Sequence, residues 1–495
     1  MKGPVGKKVT FLRGRTMNAI WFRHDLRIHD HKPLVKALEQ GLKEEKEIVG
    51  VFVWEESFEE FQYPKLKRMG NHRRRFLIES LEDLAASLQP YNVSLRILRG
   101  KTEEVLYHWL MEQDVKDVFL HDHPGFEERQ TLARLREKTS KITWHVSDGH
   151  MLFTRRQLPV QLEEFPMSFT GFRKKLEKNL SIPRRNRPYT GEEEEVIQEA
   201  KGESMDYHRD NIFTRKEVLR EHHPGGSGMV KGGERAGLQR LKEYVTDPNR
   251  LFTYKETRDG LLSFDDSSKL SFWLSNGCLS PKRVYQSILE MEREQGRNES
   301  SYWLFFELLW REYFQWLMLA TKERLFLKKG LLDRELLWHE ERTLFEAWKK
   351  GETGYPLVDA AMVELKETGY MSNRARQNVA SFLTKNLGIN WLWGARYFEE
   401  QLVDYDPASN YGNWAYQAGV GTDIRELRAF NVVGQGVRYD PEGKFAKHWL
   451  GLPENLPGDV IYDPKALRKH IHWSIPVVDQ EKSLMKRKKE LGLPH

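Results

Sequence analysis

Eleven residues late in the chain, 404–414, place Asp404, Asp406, Asn410 and Trp414 among turn formers. Two carboxylates and an amide between aromatic, helix-forming flanks are costly to bury unless a polar partner meets them. A flat polar ligand such as a flavin is one such partner; a plain structural turn is the alternative. A second set lies in 303–314, a segment apolar almost all round, as buried helices are. Within it Glu307, Trp310 and Arg311 share a helical face. They read either as a structural ion pair or as a pocket wall, the arginine meeting a phosphate and the other two a polar aromatic ligand. The loop that holds Ser267, Ser268, Lys269, Leu270 and Ser271 follows Tyr254. Its hydroxyls and backbone N–H groups can cap a helix or hold a phosphate. Asn373 suits the cap of a further helix, and Arg376 within that helix is a candidate partner for a carboxylate of 404–414.

Two kinds of element must position these groups. Residues 18–147 alternate short apolar runs (18–22, 48–54, 93–98, 115–121, 142–146) with helical spacing (32–40, 71–88, 102–113, 127–138). Near-continuous apolar strands predict a five-stranded parallel sheet buried on both faces, a doubly wound α/β domain. Gly41 reads as the stop of the first helix. No dinucleotide or phosphate-loop fingerprint follows the first strand, so this domain need not bind a dinucleotide. His24, His29 and His31 fit no standard metal set, and a polar loop at the strand's carboxyl end is expected, with no metal. From about 236 the period becomes helical, at 236–244, 282–293, 302–320, 344–350, 357–368, 374–387 and 395–402, with Gly351, Gly369 and Gly388 as stops. The expected division is 17–150 as an α/β domain, 151–235 as a connector, 236–475 as an all-α domain and 476–495 as a short basic tail.

The 495 residues suffice for two large cores. With 39% hydrophobic and 31% charged residues, the composition is that of a globular chain, and no apolar run is long enough to span a membrane. Cys278 is the single cysteine, which excludes an intrachain disulfide and leads us to expect a reducing, cytoplasmic setting. Residues 1–16 lack the apolar core of a signal peptide, and either Met1 or Met17 could be the start. A net charge of +6 permits nucleic-acid contact without requiring it; the basic clusters at 73–75, 184–185 and 486–489 read as solvated surface. Of 15 tryptophans, four precede residue 250 and eleven follow it, so the halves have different work.

In their order these segments resemble the photolyase/cryptochrome family, and within it the cryptochrome DASH group. The resemblance spans about 18–475 and rests on 21–27 (Trp-Phe-Arg-His-Asp-Leu-Arg), 277–281 (Gly-Cys-Leu-Ser-Pro), 307–311, 354–362, 371–382 and 404–414. It implies a U-shaped FAD in the helical domain. Tyr254, Ser267, Ser268, Leu270, Ser271 and Arg311 would hold its phosphates and ribitol. Asn373, Arg376, Asp404, Asp406 and Asn410 would surround its ring, with Arg376 paired to Asp404 and Asn410 beside the N5 edge. Trp338, Trp391 and Trp414 match the family's electron-transfer tryptophans, although any one of them alone reads as a core aromatic.

The resemblance also implies light-driven cleavage of cyclobutane pyrimidine dimers, with the lesion flipped into a pocket walled by Glu307 and Trp310. Where dimer photolyases usually carry a methionine and a second tryptophan, this chain has Gln377 and Tyr416, which fits the DASH group. That predicts a more polar pocket, single-stranded DNA as substrate and a monomeric protein. The competing expectation is a blue-light photoreceptor that binds DNA or a partner with little repair; a chain ending soon after the family core speaks against it. The family's folate antenna, 5,10-methenyltetrahydrofolate, would meet Glu127 or Glu128, though the flanking 121–126 depart from the family pattern.

Overall fold

The structure, a computed structural model, describes residues 17–55, 64–179, 229–422 and 428–492. Residues 1–16, and with them the question of the start, lie outside it, as do 180–228 of the expected connector with the 184–185 cluster.

The N-terminal part is a five-stranded parallel sheet of order β3-β2-β1-β4-β5. Its elements are β1 (Met17–Phe22), α1 (Lys32–Glu44), β2 (Glu47–Glu55), α2 (Asn71–Leu88), β3 (Ser94–Gly100), α3 (Thr102–Glu112), β4 (Asp117–His121), α4 (Phe126–Lys138) and β5 (Thr143–Ser147). Asn18 of β1 pairs with Ile48 and with Asp117, which puts β1 at the centre. Alternation of side chains then divides the core. Ala19 and Trp21 point into a cluster with Leu106, Leu110, Leu132 and Leu135 of α3 and α4. Ile20 and Phe22 point the other way, into a core with Leu34, Phe76 and Leu81 that continues into the helical half. Each fully buried Leu or Phe there contributes about 1.5–3 kcal/mol.

Gly41 does not stop α1, which runs on to Glu44. A Cβ at Gly41 would stand 2.6 Å from Ile48, so this glycine serves packing of the helix on β2 rather than termination.

After α5 (Phe169–Asn179) and the helix Glu234–Val245, the chain is helical. Its longest helix, Glu299–Thr321, is capped by Asn298, whose side chain accepts from Ser301 N at 2.8 Å. Buried Phe305, Leu309, Phe314, Trp316 and Leu317 explain its apolar circumference. Gly351 and Gly369 end their helices in left-handed conformation, as expected. The helix expected over 374–387 is α-helical only over Asn373–Ser381 and closes with a π turn, Phe382–Asn386. Residues Gln480–Glu490 form a helix docked on that turn, where Asn386 donates to Gln480 O at 3.1 Å and to Ser483 Oγ at 3.2 Å. The basic clusters are not simply solvated: Arg73 and Arg487 are buried, Arg73 donating to Arg68 O and Glu399 O.

Candidate functional site

Arg240 fixes the serine loop from behind. It donates to the carbonyls of Ser268 (3.0 Å) and Ser267 (3.3 Å) and to Asp265 (2.8 Å). Lys269 adopts a left-handed φ of 58°, a conformation that costs a residue with a side chain about a kcal/mol. The turn brings its ammonium inside, 3.0 Å from Ser267 Oγ and 4.7 Å from the Tyr370 ring centre. Leu270 and Tyr254 are buried beside it, and Ser271 opens the short helix Ser271–Ser275. Glu364 of the helix Pro356–Thr368 is also buried, and its Oε2 has no hydrogen-bond partner. Burial pushes its pKa up to about 8, against the pull of Lys269 and Arg376.

The 404–414 run supplies the opposite wall. Arg376 Nη2 donates to both oxygens of Asp404, at 3.0 and 2.8 Å, and its Nε to Met371 O at 2.8 Å, so the expected pair is present. Burial disfavours the charged guanidinium, but the Asp404 carboxylate outweighs it and raises the Arg376 pKa. Asp406 caps the helix Pro407–Ala418 through Ser409 N (2.7 Å) and accepts from Gln315 at 2.7 Å. Asn410 donates to Ala395 O at 2.9 Å. Asn373, Arg376, Gln377, Asp404, Asp406, Asn410 and Trp414 are among the residues that line one cavity of about 90 Å³.

Glu307 sits in a charged array that the sequence did not reveal. It pairs with Arg258, whose guanidinium lies 4.5 Å from the Trp303 ring centre. The next residue, Asp259, takes both bonds of Arg374 at 3.1 and 3.0 Å, and Arg374 also donates to Gln377 Oε1 at 3.0 Å. Burial raises the Glu307 pKa, and Arg258 opposes it. Trp310 has one face covered by Phe169 of α5, with ring centres 3.7 Å apart and planes within 11°. Arg311 donates to His150 O at 3.2 Å and is not brought to the serine loop by any described contact. Arg258, Asp259, Lys269, Glu364 and Arg374 were missed because each is a single charge in a helical or turn pattern, and only tertiary packing groups them.

Trp338, Trp391 and Trp414 are all buried. Backbone pairing brings together the segments that carry the first two: His339 bridges Ile389, and Asn390 N donates to His339 O at 3.2 Å. Trp391 opens the helix Trp391–Gln401, and Trp414 lies against Gly394 of the same helix. Arg487 of the C-terminal helix covers Trp338 at 5.1 Å. Tyr416, two residues beyond Trp414, is half-buried.

A separate cleft of about 1030 Å³ runs between the sheet's carboxyl edge and the helical half. Arg23, His24, Arg68, Glu128, Asn276 and Tyr405 are among its walls. Glu127 is exposed and paired with Arg68 at 3.0 Å, whereas Glu128 is largely buried and faces His24.

Comparison with known proteins places this geometry. Residues 303–490 match the FAD binding domain of DNA photolyase, and 18–190 match the DNA photolyase family. The chain is 40% identical over 454 residues to cryptochrome DASH of Synechocystis sp., covering 90% of this chain and 89% of that one. It is 38% identical over 456 residues to cryptochrome DASH of Xenopus laevis, covering 90% and 84%. The crystal structure of the Synechocystis sp. cryptochrome superposes with a TM-score of 0.86 at 36% identity, covering 97% of this chain and 100% of that one. An archaeal photolyase from Sulfolobus tokodaii, solved with two FAD molecules, superposes with a TM-score of 0.76 at 27% identity over 96% and 99% of the chains. A doubly wound domain joined to an FAD-binding helical domain is the architecture of blue-light flavoproteins. This chain belongs to the DNA photolyase/cryptochrome family, in its cryptochrome DASH group.

FAD is the cofactor of this fold, and the residues present suit it. The buried ammonium of Lys269 beside the Ser267 hydroxyl matches a pyrophosphate, and the orphaned Glu364 oxygen matches a ligand hydroxyl or N–H. The Arg376–Asp404 pair with Asp406 and Asn410 offers both charges and amide groups to the edge of a flat heteroaromatic ring.

Proposed function

We propose that this flavoprotein splits cyclobutane pyrimidine dimers, chiefly in single-stranded DNA, as a monomer. FAD, when bound, supplies light absorption and the transferred electron. Tyr254, Ser267, Ser268, Leu270 and Ser271, together with Lys269, would hold its phosphates and ribitol. Asn373, Arg376, Asp404, Asp406 and Asn410 would fix its ring. Trp414, Trp391 and Trp338 would form the row of oxidisable rings that connects the site with the exterior.

The observation that carries the reading is Glu307. Its carboxyl is part-buried and tied to Arg258, and burial raises its pKa, so it can hydrogen-bond a base edge where water competes less than at the open surface. Trp310 stands on the same face, offering its edge while Phe169 covers its ring. Gln377 and Tyr416 add polar groups where an apolar wedge would help extrude a base. Flipping costs a few kcal/mol from a stacked duplex and least from a single strand, which sets the substrate preference. The cleft at Glu127 and Glu128 would take 5,10-methenyltetrahydrofolate.

The test is illumination of FAD-loaded protein with dimer-containing oligonucleotides, single- and double-stranded, with intact thymines counted by chromatography. Dimers should disappear in the single strand and more slowly in the duplex. Glu307→Gln should slow single-strand repair about tenfold, the worth of one buried hydrogen bond of about 1–2 kcal/mol. Dimers persisting in both substrates would defeat the repair reading and leave a photoreceptor.

A further inference from the structure

The sheet order reverses at β1, which has β2 on one side and β4 on the other. In open α/β sheets the crevice beyond the carboxyl ends of such strands is where ligands settle. Three side chains converge there from three separate segments. His24 follows β1, His123 follows β4, and Glu128 stands in the first turn of α4. His24 Nε2 is 3.5 Å from Glu128 Oε1, and His123 Nδ1 is 3.8 Å from Glu128 Oε2. One ligand atom from each residue lies within 4.8 Å of the others. Tetrahedral ligands bound at about 2.0–2.1 Å stand about 3.3–3.4 Å apart. Both distances to the carboxylate are already within about half an ångström of that spacing.

We propose that His24, His123 and Glu128 bind a divalent transition-metal ion of the zinc type. Two imidazoles and a carboxylate are a donor set such ions accept, and three protein ligands leave a fourth position open. That position faces the large cleft, which His24 and Glu128 both line, so the ion has an entry path and can hold water or an anionic group there.

The surroundings are shaped to the set. A Cβ at Gly125 would stand 1.9 Å from Glu128 Oε2 and 2.7 Å from His123 Nδ1, so only glycine leaves room. Gly125 N–H donates to His123 Nδ1 at 3.0 Å, a hydrogen bond that a metal at Nδ1 replaces. The His150 ring packs edge-on against His123 at 4.4 Å and holds it in place. The neighbouring group of Asp25, His31 and His121 is a different case. Asp25 Oδ2 accepts from His31 Nε2 (3.0 Å) and His121 Nδ1 (2.8 Å), while His31 Nδ1 accepts from Leu34 N at 3.1 Å. The Asp25 oxygen is thus taken by both imidazoles and His31 Nδ1 by Leu34 N, which makes that triad a hydrogen-bonded brace, with only His121 Nε2 left unpaired.

Untagged, FAD-loaded protein treated with chelator and then titrated with cobalt(II) should develop visible ligand-field absorption that saturates at one ion per chain. Zinc(II) should displace it, and calorimetry should give the same stoichiometry. His24→Asn and Glu128→Gln should each weaken binding at least about tenfold with the flavin spectrum unchanged, and His108→Asn, an exposed histidine elsewhere, should not. Flavin retention in the two variants shows that they fold. Absence of saturable cobalt absorption, or affinity unchanged in His24→Asn and Glu128→Gln, would overturn the assignment whatever the fate of the repair reading.

Discussion

Glu364 has a carboxyl that folding drives toward its protonated form. Its pKa rises by burial to about 8 in the folded protein, against 4.5 as its ordinary value. The folded state therefore holds a proton that the unfolded chain releases between these values. The contribution is fully present below about pH 4.5, and is lost as pH rises toward 8. Glu364→Gln keeps the shape and removes the titration. Its melting temperature, measured without FAD, should gain on the parent's from pH 5 to pH 8, with a difference at pH 8 of up to a few kcal/mol. A pH-independent difference would show that Glu364 is ionised in the folded state. At this scale the sequence was partly legible. Arg376 and Asp404 could be paired in advance because both stood in segments with a recognisable pattern. Glu364 and Lys269 could not, because a lone charge in a helix reads as solvent-facing until the fold shows what lies opposite.

Among the elements, the contact between the helices Trp391–Gln401 and Pro407–Ala418 depends on one missing side chain. A Cβ at Gly394 would stand 2.2 Å from the outer edge of the Trp414 ring, with Leu383 at 2.6 Å behind. Gly394→Ala improves helix propensity by about 1 kcal/mol but overpacks the core by about 1–3 kcal/mol. The variant should melt below the parent, and its flavin should photoreduce more slowly because Trp414 has moved relative to Trp391. Equal melting and equal photoreduction would mean that the ring has room elsewhere. Strand and helix positions were legible in the sequence because apolar period marks them, and β1 to β5 fall where the runs predicted. Gly41 and the π turn Phe382–Asn386 were not. A glycine that relieves contact with Ile48 looks the same in sequence as one that ends a helix. The π turn is stabilised from outside, by the helix Gln480–Glu490.

At the scale of the whole molecule, the two halves are joined by polar ties between residues as much as 250 positions apart. The buried guanidinium of Arg27, just after β1, donates to Gly277 O at 2.9 Å, 250 residues away. It also holds His29 O (3.0 Å), Asp30 O (3.1 Å) and Gly149 O (3.1 Å). Glu234 accepts from Ile28 N (2.7 Å) and His29 N (3.1 Å), and Glu312 from Leu152 N (2.7 Å) and Phe153 N (3.3 Å). Around these ties one apolar core runs from Ile20 and Phe22 to Trp316 and Trp414. Such an arrangement makes the sheet and the cofactor domain a single cooperative unit, so flavin release and loss of far-ultraviolet ellipticity should coincide on heating. Arg27→Met keeps the length and apolar stem of the side chain but strips four carbonyls of their donor. At about 1–3 kcal/mol for each buried acceptor left unpaired, less what water recovers, the interface should weaken by about 3–5 kcal/mol. Flavin release should then precede the loss of ellipticity by several degrees, because the helical half loses its support at Gly277 while the sheet keeps its own. Coincident transitions in Arg27→Met, at the parent's temperature, would show that the shared apolar core alone couples the halves.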